Sequence, residues 1–432
     1  MSDDKKKKGS AGGFMKKLQE RDKAMKANLA ERLQGESTLY MGDPALQWGI
    51  GGWERARANL VYGPSGSGKT GLVLKGAAAE QQRTNGYVVI FDSEYAHDAE
   101  NPKMLERYRK AGINTDKLIV SSSNEADVLF GDLGALEADV KNPKNPLNVS
   151  AIIVDSWGGV QGEAAKNKIN EGDVAAAGNS FGGNAKLMGP ILQHLLRLSA
   201  ENGITMFFVQ HTMMNMDQYG PRYLLIGGQK LRFLCHNITF VESVQAKDAS
   251  LLAGDEASAD NDFVVRIGKK IRFRCEKSRQ VVEGRKGEFW MDFENLRFAR
   301  PGESLYNLAS NLGVIANRVQ PDLEDSGPNK GKQKIGKDGK PVFKDVKGWY
   351  EFPVGVPSPH TFHGPNAAIE ALTVNQNLYA EVYAACMSSA KTDAVGGVKM
   401  GSEIGFVGDA SEAEVPVERA FKSKKDKGDK KD

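Results

Sequence analysis

61-VYGPSGSGKTGLVLKG-76 is the stretch whose reading decides the fold. Its centre, Gly63, Pro64, Ser65, Gly66, Ser67, Gly68, Lys69 and Thr70, fits the pattern G-x-x-x-x-G-K-[ST]. A short apolar run (Ala58, Leu60, Val61, Tyr62) precedes it and an apolar helical pattern follows, so the context is strand, loop, helix. The glycines can take positive φ and put no Cβ in the way, which lets successive backbone N–H groups point inward at an anion. A helix beginning at Lys69 adds unpaired N–H groups and the positive end of its dipole. Such a loop is built for a nucleoside triphosphate: Lys69 would reach the β- and γ-phosphates and the Thr70 hydroxyl would hold Mg²⁺.

Working outward, 87-YVVIFDSE-94, 151-AIIVDS-156 and 204-ITMFFVQH-211 read as strands, with helical patterns at 69–83, 101–112, 124–140 and 184–201 between them. Pro190 either kinks the last helix or marks its start. Unbroken apolar strands alternating with helices predict an α/β fold with a mostly parallel sheet covered on both sides, its ligands at the carboxyl ends of the strands. Later segments, 237–243, 263–277 and 287–293, alternate at period two and predict an antiparallel extension. Residues 1–35 form a charged N-terminal segment with a short helix from Phe14 to Leu33, and 36–300 form the core. Residues 301–390 read as linker, with one helical patch from Leu305 to Val314, and a small C-terminal region; 391–432 read as a disordered charged tail.

The net charge of +3 is concentrated in the tails, four Lys against two Asp in residues 1–8 and six Lys against three Asp in 422–432, so the body is near neutral. Binding to nucleic acid by the body therefore has to come from local basic loops. The tails either add weak, salt-sensitive attraction to polyanions or serve solubility only. Three widely spaced Cys predict neither disulfide nor zinc site. Without an apolar run of eighteen residues or an N-terminal h-region, the expectation is a cytoplasmic protein with no membrane partner.

A triphosphate-hydrolysing site needs a carboxylate for Mg²⁺, held through water, and a second group to orient the attacking water. Asp155 and Glu94, at strand ends, suit these roles; strand-end carboxylates can alternatively cap helices. The ordered set of the loop, "FDSE", "IIVDS", "FFVQH", "IGGQKLRF" and "EKSR" resembles the RecA-type recombinases, especially the UvsX-like recombinases of tailed phages. The resemblance covers roughly residues 40–300, with a weaker echo in "GWYEF" and "TFHGP" further on.

That resemblance implies a RecA-type P-loop ATPase core in which Glu94 activates water, Asp155 supports Mg²⁺ and His211 senses the γ-phosphate. RecA has glutamine at the last position and the UvsX-like branch histidine. It also implies that Lys277 and Arg279 reach across a subunit interface to a neighbour's ATP, with Arg232 matching a further interfacial lysine. Two DNA-binding loops are expected. The first is 157–184, with Lys166 and Lys168; the second is the irregular 212–230, with Met213, Met214, Met216, Tyr219, Arg222 and Lys230. The implied activity is DNA-dependent ATP hydrolysis coupled to filament assembly on single-stranded DNA and pairing with a homologous duplex, in the cytoplasm of a host cell if phage-encoded. A recombination mediator and a single-strand-binding protein are further implied partners. A hexameric helicase of the same fold, or a coating and annealing protein merely stabilised by ATP, are the alternative readings.

Overall fold

The structure, a computed structural model, describes residues 35–162, 181–215, 222–225, 229–246, 249–252, 265–324, 330–336, 341–354 and 359–393, with scattered positions between 16 and 33. The chain divides into two units, Met1–Ala299 and Arg300–Asp432. In the first, β1 (Thr38–Leu39) and β2 (Trp53–Glu54) pair around α1 (Pro44–Ile50). The strands that follow are β3 (Ala58–Gly63), β4 (Tyr87–Asp92), β5 (Leu118–Ser122), β6 (Val149–Asp155), β7 (Thr205–Met214), β8 (Tyr223–Leu225), β9 (Asn237–Ser243), β10 (Ser250–Leu252), β11 (Arg266–Lys277), β12 (Lys286–Asp292) and β13 (Arg297–Ala299). Interleaved with them are the helices α2 (Lys69–Thr84), α3 (Pro102–Ala111), α4 (Ala126–Val140), α5 (Phe181–Asn202) and α6 (Gln229–Leu234).

The sheet order is β13-β12-β11-β9-β3-β7-β6-β4-β5. Pairing is parallel from β9 through β5 and antiparallel from β9 to β13. Because side chains alternate across a strand, Val88 and Ile90 join a core with Leu72, Val73 and Tyr108 on one face, while Val89 and Phe91 join Leu133, Leu195 and Leu231 on the other. Covering helices on both faces explain why these strands read as continuous apolar runs.

Four expectations need correction. The segment 237–243 pairs parallel with β3 and antiparallel with β11, so it closes the parallel block and only the next strand starts the extension. Polar Asn237 and Thr239 are fully buried there; the Asn237 side chain donates to Gly52 O at 3.1 Å and the Thr239 hydroxyl to Asn237 Oδ1 at 3.3 Å. They imitate the polar face of a half-exposed strand. Of the two readings of Pro190, that it marks the start of its helix is excluded, because it lies inside α5, which starts at Phe181. The segment 212–230 is not irregular throughout: β7 continues to Met214 and pairs with β8 as a hairpin, and α6 begins at Gln229. The stretch expected as linker after residue 300 contains, beyond the expected helical patch, which falls in α7 (Pro301–Asn311), the strand β14 (Ala316–Pro321) and the start of β15 (Phe343–Phe352).

That second unit is completed by β16 (His360–His363), α8 (Gly364–Val374) and α9 (Gln376–Asp393). Its antiparallel sheet β14-β15-β16 carries Phe352 and Phe362 into a core with Leu305, Leu308 and Leu372. Most of the expected helix between Phe14 and Leu33, and the tail from 394 on, lie outside the described residues. Among the described residues no helix is long and apolar enough to cross a membrane.

Candidate functional site

β3 ends at Gly63, where an added Cβ would stand 1.9 Å from Val241 O of the neighbouring strand. The expected glycine requirement therefore holds at Gly63 for close approach, whereas Gly66 and Gly68 do take positive φ, 70° and 82°. Gly68 is the N-cap of α2, which has no side-chain cap and no acidic residue in its first turn. Its leading N–H groups are thus left for an anion, and nothing in that turn repels one. The Ser67 hydroxyl and Lys69 Nζ both donate to Pro64 O, each at 2.8 Å, so the lysine is folded over the loop. Burial lowers the Lys69 pKa, with Asp155 and Glu94 pulling it back up.

The ends of β4 and β6 supply the acidic side of the cleft. Asp92, fully buried, accepts from the Glu94 amide at 3.0 Å and the His97 amide at 2.7 Å, which bends the chain after β4 into a turn. Ser93 and Ser156 sew the two strand ends together: Ser93 Oγ donates to Ser156 O at 2.6 Å and accepts from Ser156 N at 3.1 Å. Glu94 is thereby aimed into the cleft, where its Oε1 accepts from the Ser156 hydroxyl and lies 2.9 Å from His211 Nε2. Asp155 Oδ2 accepts from the Thr70 hydroxyl at 2.7 Å and lies 3.3 Å from His97 Nε2. Burial pushes the Asp155 carboxyl up, but the hydrogen bonds from His97 and Thr70 lead the contributions that outweigh it and hold its pKa below the usual value.

These groups line a cleft of about 400 Å³. Ser65, Gly66, Gly68, Lys69, Thr70, Glu94, Asp155 and His211 all border it, so four segments distant in sequence meet there. Sequence reasoning missed three further walls, Arg107 on α3, Lys269 on β11 and Phe293 just after β12. Arg107 and Phe293 offer a cation and an aromatic face near the loop; no spacing signal marks either, because only the packing of α3 and β12 turns them this way. An anionic group with a flat ring attached matches this lining.

Lys277 and Arg279 are not in this cleft. β11 runs antiparallel to β9 with Lys277 opposite Ile238, and Ile238 is level with Leu60 on β3. Lys277 is thus three residues short of the glycine loop, roughly 10 Å of strand away, with Arg279 further along. Lys277 Nζ donates to Arg232 O at 3.2 Å and Phe233 O at 2.8 Å, capping α6, and Arg232 is 3.5 Å from Glu276. Burial lowers the Lys277 pKa, with Arg279 and Arg232 adding to the effect against Cys235 and Glu283.

His236 belongs to the same cationic end, its pKa pushed down to about 4 by burial first, then by Arg279, Arg57 and Lys277. In the unfolded chain it titrates near 6.5. Between those values the unfolded state binds the proton and the folded state does not, so stability falls as pH drops from about 6.5 towards 4. The expected loss is on the order of 2 kcal/mol, read by urea unfolding at pH 7 and pH 4.5. His236→Gln should flatten it; an unchanged slope would remove His236 as its source.

Of the second loop, Met213 and Met214 are 52% and 61% exposed on the β7–β8 hairpin, Arg222 packs over the Tyr223 ring at 5.3 Å, and Lys230 is exposed on α6. Met216, Tyr219, Lys166 and Lys168 lie outside the described residues.

The architecture defines an α/β protein whose cleft opens at the carboxyl ends of parallel strands. Residues 17–269 match the RecA N-terminal domain, and the chain belongs to the RecA family. It is similar to Protein RecA of Acidothermus cellulolyticus, 27% identical over 73% of this chain and 94% of that protein. It is also similar to Protein RecA of Bifidobacterium breve (29%, covering 66% of this chain and 64% of that one) and of Sulfurovum sp. (31%, 60% and 65%). The chain thus spans nearly all of the first relative and a little under two thirds of the other two.

Proposed function

We propose that the protein is an ATP-hydrolysing recombinase of the UvsX-like kind. It assembles head to tail as a helical filament on single-stranded DNA and pairs that strand with a homologous duplex. The observation that carries this reading is the separation of the two halves of the site. The glycine loop with Glu94 and Asp155 is at one end of the parallel strands, and Lys277 and Arg279 lie towards the other. Cations there meet a triphosphate only if a second copy presents them, and repeated head-to-tail contacts that do not close make an open helix.

The donor set fits Mg²⁺: an ionised carboxylate beside a helix-start hydroxyl is the hard-oxygen pair that this ion takes, with phosphates and waters completing it. Among the described residues no cluster of three His, Cys, Asp or Glu offers a closed protein cage, which suits an ion shared with a substrate. Thr70 would hold it directly and Asp155 through water; when bound it neutralises phosphate charge. Glu94 orients the attacking water. His211, its Nε2 2.9 Å from Glu94 Oε1 and leading directly into the β7–β8 hairpin, reports the γ-phosphate to the DNA-facing Met213, Met214, Arg222 and Lys230.

The experiment is the affinity for single-stranded DNA with a non-hydrolysable ATP analogue against ADP. The analogue is expected to tighten binding at least tenfold. Arg222→Ala/Lys230→Ala should weaken it for all sequences alike and flatten the salt dependence by roughly one to two ions released. Equal affinity with both nucleotides would point instead to a coating protein.

A further inference from the structure

The buried polar cluster behind Asp155 has no role in the reading above. We propose that His97 is a positioning residue which, braced by Tyr108, fixes the Asp155 carboxylate for its Mg²⁺-supporting role. The inference rests on the nucleotide reading of the cleft.

His97 and Asp155 are each 5% exposed and Tyr108 is fully buried. His97 Nδ1 is 2.9 Å from the Tyr108 hydroxyl, Nε2 is 3.3 Å from Asp155 Oδ2, and the imidazole stacks on the Tyr108 ring at 6.0 Å and 10°. The Asp98 backbone also hydrogen-bonds Tyr108. A hydroxyl accepting from that amide has its proton free for Nδ1, which places the imidazole proton on Nε2, facing the carboxylate. The imidazole itself is held at the backbone, through the amide that Asp92 accepts.

The χ2 torsion of an aspartate is broad, and one hydroxyl from Thr70 does not by itself determine which carboxylate oxygen faces the cleft. Thr70 and His97 converge on the same oxygen, Oδ2. Oδ1 is then the oxygen left for a ligand's water. Partners in this outer position commonly shift metal affinity ten- to a hundredfold. An apolar residue of similar volume would cost less to bury than a histidine whose ring nitrogens must both be hydrogen-bonded, and here one of those bonds goes to Asp155 itself.

The test measures retention of a fluorescent ATP analogue by the full-length protein while Mg²⁺ is titrated, and in EDTA. His97→Ala should raise the Mg²⁺ concentration for half-maximal retention about tenfold and leave the EDTA affinity unchanged. His97→Gln, which keeps a side-chain N–H donor for Asp155, should return the midpoint to within about threefold of wild type. Tyr108→Phe, which keeps the ring stack, should shift it by a smaller factor, about threefold, and serves as the test if His97→Ala does not fold. An unchanged midpoint in the folded His97→Ala or Tyr108→Phe protein overturns the proposal. So does an equal loss of affinity with and without Mg²⁺, or failure of Gln to restore the midpoint. Wild-type protein that retains no nucleotide at any Mg²⁺ concentration would instead overturn the reading of the cleft.

Discussion

Lys69→Ala protein should retain nucleotide at least a hundredfold more weakly than wild type, without losing thermal stability. The residue is 5% exposed and, among the described residues, its ammonium makes a single hydrogen bond, to Pro64 O at 2.8 Å. Burial works against its charge in the folded state, as the lowered pKa records. Removing it therefore relieves a desolvation cost and forfeits one hydrogen bond, two terms of similar size and opposite sign. With triphosphate present the balance changes, because a buried cation on a phosphate is a charge-assisted contact whose loss costs about 3 kcal/mol, a hundredfold and more in affinity. Glu94→Gln separates binding from chemistry. It keeps the loop and the shape of the side chain and should bind the analogue normally, while phosphate release falls about 10²–10³-fold. A fluorescent-nucleotide titration with a phosphate-release assay reads both. Normal affinity in Lys69→Ala would remove the loop as the site, and wild-type turnover in Glu94→Gln would remove Glu94 as the water-orienting group.

The cleft was legible as far as its parts are contiguous in the chain. β3, its loop and α2 are one uninterrupted pattern, and the strand ends that carry Glu94 and Asp155 are apolar runs ending in carboxylates. What stayed hidden depends on tertiary placement. Leu118–Ser122 is a five-residue edge strand, half exposed, and too short to stand out from the loop around it. The parallel pairing of β9 with β3 is hidden because its buried Asn237 and Thr239 satisfy each other and the backbone, so its sequence alternates as an antiparallel strand's does although both faces are covered. His97, three residues past Glu94, carries no periodic signal. Its position under Asp155 follows from the turn that Asp92 imposes and from the facing helix α3, which brings Tyr108. Arg107 lines the cleft and Tyr108 is buried beneath it on the same helix, one residue apart in sequence and separated by the direction in which each side chain leaves it.

Mixing two inactive proteins should restore activity. Lys277→Ala/Arg279→Ala protomers keep the loop, Glu94 and Asp155, and Glu94→Gln protomers keep both cations. If the cations act on a neighbour's triphosphate, each protein alone fails at every interface. Loss of positive charge supplied in trans typically lowers turnover about 10³-fold or more. In an equimolar filament, about a quarter of the interfaces join an intact loop to intact cations, and DNA-stimulated phosphate release should recover to that fraction of wild type. The geometry makes this a test of direction as well as of identity. Lys277 is held against the carbonyls of Arg232 and Phe233 at the C-terminal end of α6, away from its own loop, and Arg279 lies with Arg57 and His236 at the same end. Removing Lys277 uncaps α6, so thermal melting of the double variant has to match wild type before its inactivity is assigned to chemistry. Filaments that form in the mixture, seen by negative stain, with no recovery of turnover would mean that these cations act within their own protomer or only hold α6. Recovery at a quarter of wild type would require the site to be built by two copies, since neither protein contains a complete one.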